Sequence, residues 1–392
     1  MKAYIVRTGR VIEPFGEPAC DCLVLNRTLA ETQVDALTRN GVTVVHVSSA
    51  REVADPDEHL LVGDNVFFTP ELLAEFIRRS RDYGRTTACA LKNGVTTQRM
   101  ATSVQDVAIW SGFVLYNLRY IPQERKREPG SGIVIDPDEF LASIRLPRHM
   151  CGAGEYLIPT SDKLIVQIDH WANLWVANIL AILSEGARLR RKSFVEKLWL
   201  AVRAGSFNRW NILWHLNKIG KKCDIHPTAY VEGSTLGNNV IVGAGAVIRA
   251  SVIGDNVTIG NGVVVEESVI GRRSTILKGH VLYSVFYPGV FSFAEMVSAS
   301  FLGQDVFIGS NVTLTDFRLD GKNVTVMQDG KPVDSGNLFL GSCVGHRTRL
   351  GSGTIVVPGR MIPCDSQIVA RWERTVSQNL DDLRKEGPLI GR

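Results

Sequence analysis

The sequence predicts an α/β domain with a doubly wound parallel sheet, followed by a left-handed parallel β-helix. Three observations carry this: strand and helix patterns alternate near the amino terminus, a six-residue aliphatic repeat runs from Ile225 onward, and 392 residues at about 150 per domain leave room for two or three domains. Hydrophobic residues at 45% and charged residues at 21% are ordinary for folded chains and exclude a disordered, collagen-like or disulfide-scaffold protein. Seven cysteines without a C-x-x-C pair point to reduced, structural thiols rather than a zinc knuckle. The start, MKAYIVRTGR, has no apolar signal core, and the apolar stretch around Trp171 to Leu183 is shorter than the ~20 residues that span a bilayer, so a cytoplasmic location is expected.

Residues 1–168 are read as the α/β domain: a strand AYIV, a helix from Leu29 to Asn40, strands VTVVHV and LLVGD, and a helix from Pro70 to Asp82. Residues 169–222 follow as a helical connector, with Ser193 and Asn208 as N-caps. Charge concentrates here. Ser184 to Lys222 holds ten basic residues against two acids, a local +8 in a chain of net +4, and five of the seven tryptophans lie between 171 and 214. Such helices, apolar on one face and basic on the other, suit either packing between domains or docking on a protein partner or an anionic membrane surface. No nucleic-acid-binding motif accompanies the charge, and nucleic acid is not expected as a partner.

Residues 223–370 carry the repeat. VEGSTLG, NNVIVG, AGAVIRA, SVIG, DNVTIG and their successors place an aliphatic side chain at one position and Gly, Asn or Asp nearby. Each hexapeptide is one short flat strand with its aliphatic residue toward the axis and a tight turn after it, three strands to a rung. Two interruptions are expected: a distorted rung or excursion at His280 to Val297, and a protruding hairpin at 316–336 with turns at Asp320-Gly321 and Asp329-Gly330. Residues 371–392 are left as a C-terminal tail or helix.

In these motifs the chain resembles the bifunctional sugar-1-phosphate nucleotidylyltransferase and acetyltransferase proteins, whose β-helix carries a D-G-K-x-V-x-V insertion before its last coils; here that stretch is DGKNVTV from Asp320. The resemblance implies a Rossmann-like nucleotidyltransferase domain, a β-helix that assembles as a homotrimer, and acyl transfer from acetyl-CoA or another acyl-CoA. At the amino terminus it rests on Leu25-Asn26-Arg27-Thr28-Leu29, Gly41-Val42 and Gly63-Asp64. The family wraps a G-G-x-G-x-R loop round the triphosphate, and only Thr8-Gly9-Arg10 stands at that place, with Pro18-Ala19 where the family has P-K. The implied nucleotide or sugar-phosphate contacts are Gly9, Arg10, Asp64 and Asn173. Asp64 and Asn173 take the family's metal positions, with Mg²⁺ required only if this domain is active; the missing lysine and shortened loop make it a degenerate one.

Acyl transfer needs a base to take a proton from the acceptor. His346 and His280 lie in the repeats, each at a position that suits a solvated corner. The family's acetyl-transfer histidine is replaced by the stretch Glu295 to Ser298, its asparagine by Asp316 and its lysine by Phe339, which leaves Glu295 and Asp316 as substitute bases. His226 opens the first coil as a structural residue. Three functions follow as expectations: a hexapeptide acyltransferase with an inactive nucleotidyltransferase domain, a non-catalytic trimeric scaffold or regulatory subunit, or an active nucleotidylyltransferase.

Overall fold

The computed structural model describes residues 1–123, 131–152 and 154–370; the expected tail at 371–392 lies outside them. The first domain is built on strands β1 (Lys2–Val6), β2 (Thr43–Val47), β3 (His59–Gly63), β4 (Thr87–Lys92), β5 (Phe113–Ile121) and β6 (Ser131–Ile135), in the order β6-β4-β5-β3-β1-β2. β1 pairs in parallel with both β2 and β3, as the βαβ pattern requires. The sheet is nevertheless mixed, because β5 runs antiparallel to β3 and β4. The chain between Lys92 and Phe113 makes a short helix at Val95–Arg99, a 3-10 turn and a two-residue strand at Ala108–Ile109 that pairs antiparallel with β5, so no long crossover helix brings β5 back in the parallel sense.

Helix α1 (Leu29–Arg39) starts at a capping box, with Thr28 Oγ1 accepting from the Glu31 amide and the Glu31 carboxylate accepting from the Thr28 amide. Helix α2 (Pro70–Tyr83) begins with proline and ends at Gly84 in the left-handed conformation. Helix α3 (Trp171–Arg191) buries fourteen of its residues, including Trp171, Asn173 and Asn178. It belongs to the core of the first domain, so the free connector is shorter than the 169–222 read from the sequence: α4 (Phe194–Arg203) and α5 (Arg209–His215), with the first β-helix strand already at Lys218–Ile219.

From there the chain winds into a left-handed β-helix of three parallel sheets, with eight, eight and seven strands. Val231, Leu236, Val242, Ile248, Ile253 and Ile259 fill its axis with almost no exposure. Partners one rung apart, such as Lys218 and Thr235 or Val252 and Val269, are 17 residues apart. His280 to Val297, expected as a distorted rung or excursion, stays in the coil as a shortened rung: His280 pairs with Met296, 16 residues on. It stays closed because its corner tightens at Gly279, φ 89°, where a Cβ would collide with the carbonyl oxygens of Ala294 and Glu295. A buried ladder runs along one corner, the amides of Ser251, Ser268, Ser284 and Ser300 each donating to the serine hydroxyl one rung earlier.

The hairpin Thr325–Gln328 with Lys331–Asp334 forms as expected but does not protrude freely. Ser103 Oγ donates to the Asp334 carbonyl, Arg99 donates to the Gly336 carbonyl, and the His170 ring meets the Met327 carbonyl at 3.1 Å. The hairpin is a strut between the two halves of the molecule. A single hydrophobic core crosses the seam, running from Phe15 and Leu29 through Trp175 to Val269, Tyr287 and Phe301. Backbone polar groups are matched across it: the Leu23 amide donates to Tyr287 OH at 2.7 Å, Asn26 to the Ile270 carbonyl at 2.9 Å, and the Trp175 indole to the Tyr283 carbonyl at 2.7 Å.

Candidate functional site

A parallel sheet offers a ligand site where neighbouring connections leave in opposite directions, outside the carboxyl ends of the strands. In this fold that point lies between β1 and β3. The loop after β1 carries Thr8, Gly9 and Arg10, and the loop after β3 carries Asp64 and Asn65. Between them opens a polar cleft of about 640 Å³, lined by Thr8, Arg10, Asn65, Asn117, Arg119 and Asp169 among others. Gly9 is there for its φ of 70°, since a side chain would meet nothing.

The charges of the cleft are mostly committed within the protein. Asp64, 8% exposed, accepts from the Thr8 amide at 3.0 Å and the Thr8 hydroxyl at 2.6 Å. Arg10 Nε lies 3.0 Å from Asp169 Oδ1, and its guanidinium lies 3.8 Å from Asp106. Asp169 also accepts from Asn65 Nδ2, Gln167 Nε2 and the Asp106 amide, at 2.7 to 2.8 Å, so it organises the cleft floor. Two features remain open toward a ligand. Arg119 is exposed and has no carboxylate partner among the described residues, and Asn65 Oδ1 is buried with no hydrogen bond.

Asn173 is not part of this cleft. It has no exposure, and its amide donates to the carbonyls of Met100 and Ala101 at 3.2 and 3.0 Å. The pairing of Asp64 with Asn173 as metal ligands is therefore not assembled: the first is held by Thr8 and the second is turned from α3 onto the carbonyls of Met100 and Ala101. Among the described residues no group of three metal-ligating side chains converges.

On the β-helix, the four candidate bases separate. His280 is exposed at the start of its strand, and Lys278 and Glu295 form an ion pair at 2.8 Å beside it. The Lys278 ammonium holds the Glu295 carboxyl below the usual carboxylate range. Asp316 points elsewhere, into an apolar cavity of about 250 Å³ at the domain seam, among Tyr156, Trp175, Leu180, Tyr283 and Phe339. It accepts from Ser298 Oγ at 2.6 Å, and burial pushes its carboxyl up.

His346 is not the solvated corner residue expected. It is 5% exposed and lies under Phe15 and Tyr287, with ring centroids 4.9 and 5.8 Å away. Its Nδ1 accepts from the Gln304 amide at 2.7 Å, and its Nε2 sits 3.1 Å from Glu17 Oε1, out of line for a hydrogen bond. A turn histidine reads as solvated in sequence, since nothing local shows that a loop 330 residues earlier will cover it. Asp169 and Arg119 were missed for a similar reason. Asp169 carries a weak signal, an acid just before a helix start, and Arg119 carries none, because alternation along β5 shows only which face it takes.

Comparison with known proteins places the β-helix. Residues 215–287 match the family profile of the GMPPB C-terminal domain. A stretch of 92 residues is 30% identical to YaiX of Escherichia coli strain K12, named as an uncharacterized acetyltransferase, and equally to YaiX of strain O6:K15:H31. That stretch is 23% of this chain and 40% of the relative, so the chain spans well under half the length of the curated relatives it matches. The similarity thus lies in the β-helix: residues 215–287 resemble the GMPPB C-terminal domain, and a 92-residue stretch resembles a protein named as an acetyltransferase, in a chain that joins an α/β domain to a hexapeptide-repeat β-helix.

Proposed function

We propose that this protein is an acyl-CoA-dependent transferase of the nucleotide-sugar type, in which the β-helix performs acyl transfer and the amino-terminal cleft binds a nucleotide or sugar phosphate without turning it over. The observation that carries the reading is the state of the cleft. Its shape and position suit a polar ligand, and Arg119 offers it a cation, yet Arg10 is neutralised by Asp169 and Asp64 is held by Thr8. Displacing pyrophosphate needs positive charge where negative charge develops, and among the described residues no lysine lines the cleft.

On the β-helix, His280 is the base favoured. It is the candidate histidine open to solvent, with the Lys278–Glu295 pair next to it, whereas His346 is enclosed. In this reading His280 takes the proton of an acceptor hydroxyl or amine as the acceptor attacks the thioester carbonyl; the C–S bond breaks, and the proton passes to the departing CoA thiolate. The working assembly is a cytoplasmic homotrimer. A second reading, a non-catalytic scaffold, is favoured by the continuous hydrophobic seam, which makes the two halves one rigid support.

Calorimetric titration at known oligomeric state tests both. Acetyl-CoA should bind at about one molecule per subunit, and His280→Ala should abolish turnover while leaving the melting temperature unchanged. Pyrophosphate release from UTP, Mg²⁺ and a sugar 1-phosphate would replace the reading with an active nucleotidylyltransferase. Binding of neither ligand by the folded protein would leave the scaffold.

A further inference from the structure

Helices α4 and α5 stand outside both cores. Of the ten residues of α4, only Ala201 is buried. Phe194, Val195, Trp199 and Val202, with Phe207 and Trp214 beyond them, are 41 to 81% exposed. Their spacing on α4 puts residues 194, 198 and 202, and 195 and 199, on one stripe. Short helices in water draw their stability mostly from packing an apolar face, and the capping box of Ser193 and Glu196 supplies only part of what is missing. Contiguous apolar surface of this kind marks a face that something covers.

The segment that carries this face is basic. Arg190, Lys197, Arg203, Lys218, Lys221 and Lys222 have no carboxylate partner among the described residues, while Glu185 and Glu196 are already paired with Arg188 and Lys192. Arg203 lies over the Trp199 ring at 5.5 Å, the stacking that keeps a cation at the edge of an apolar surface. A second copy of the chain docked face to face would bring two such basic segments together, so the charge argues against self-association. An anionic lipid surface takes both features at once: acyl chains accept the aromatic stripe, and headgroups neutralise the basic residues. Among the described residues no helix is long and apolar enough to cross a membrane, so this contact is peripheral.

We propose that α4 and α5 dock the protein on anionic lipid bilayers, the stripe from Phe194 to Trp214 entering the interface and the lysines and arginines of the same segment meeting the headgroups. The surface is independent of the reading given for the cleft and for His280. It places both sites at a membrane, where the acceptors presented to them are anchored or released at the lipid surface.

The test is co-sedimentation of the full chain with vesicles of phosphatidylcholine alone, or of phosphatidylcholine with phosphatidylglycerol. Binding to the anionic vesicles and weak binding to the neutral ones are expected, with a steep loss at high salt. At about fivefold per basic residue, Lys221→Glu with Lys222→Glu should weaken binding at least about 25-fold. Trp199→Asp with Val202→Asp should abolish it while leaving circular dichroism and melting unchanged, since both sites are exposed. In the unaltered protein, brominated lipid should quench tryptophan fluorescence, which needs no variant. Failure to bind, equal binding to neutral and anionic vesicles, or a fall in oligomer mass in the Trp199 variant without any vesicle binding would each overturn the proposal.

Discussion

Phe15 is the keystone of the seam, and its removal gives the sharpest test of how the two halves are joined. Its ring is 6% exposed and packs against Tyr287 at 5.3 Å, Phe301 at 5.1 Å and His346 at 4.9 Å, so one side chain of the first domain touches three rungs' worth of β-helix surface. Phe15→Ala removes the pairs with Tyr287 and Phe301, worth about 1 to 3 kcal/mol together, as well as the contact with His346. The cavity left among rigid β-helix strands, which cannot collapse to fill it, raises the total to about 3 to 5 kcal/mol. The comparison is Tyr287→Phe, which keeps every ring but leaves the Leu23 amide without its acceptor, at about 1 to 3 kcal/mol. Scanning calorimetry with limited proteolysis is the assay. Phe15→Ala should split the melt into an early transition of the α/β domain and a late one of the β-helix, with cleavage appearing first in residues 1–191. A loss below about 1 kcal/mol, or a larger one from Tyr287→Phe, would refute the claim that this ring cluster couples the domains.

Burial, reinforced by the neighbouring Glu266 charge, pushes the Glu267 carboxyl up to about 7. The folded protein therefore binds that proton more tightly than the unfolded chain does, and stability falls as pH rises from the ordinary carboxylate range to about 7; Glu267→Gln should flatten this slope in urea titrations, by at most about 3 kcal/mol. Asp169→Asn should cost about 2 kcal/mol or more, because an amide placed there faces the donors Gln167 Nε2 and the Asp106 amide and frees Arg10, and melting with proteolysis of the 8–10 loop will register it. Gly279→Ala should destabilise the β-helix by several kcal/mol through the collision with Ala294 and Glu295, whereas Gly262→Ala, where a Cβ meets nothing, should cost only the strain of its positive φ; paired denaturation curves separate the two.

Local pattern carried a large part of the fold. The N-caps at Ser193 and Asn208, the helix start at Pro70 and the Val-Ile repeat each act through residues a few positions apart, and each appears where the pattern puts it. The 16-residue rung at His280 was harder to read, because aromatics such as Phe286 and Phe291 replace the usual aliphatics while their alternate inward and outward directions stay the same. Of the site, Thr8-Gly9-Arg10 and Asp64 were legible as loop residues after strands. Their ion pairs and hydrogen bonds were not.

What the sequence determined by itself is the pair of architectures, since period and turn chemistry are local and leave few alternatives: alternating strands and helices must stack as layers, and a hexapeptide repeat must coil. What only the tertiary structure decided is the use of each charged group. Whether His346 meets solvent or Phe15, whether Asp64 is held by Thr8, and whether Trp175 or Trp199 is covered depend on contacts between residues up to hundreds of positions apart. No short-range pattern encodes such contacts, because burial and electrostatic pairing are set by how the two domains lie against each other.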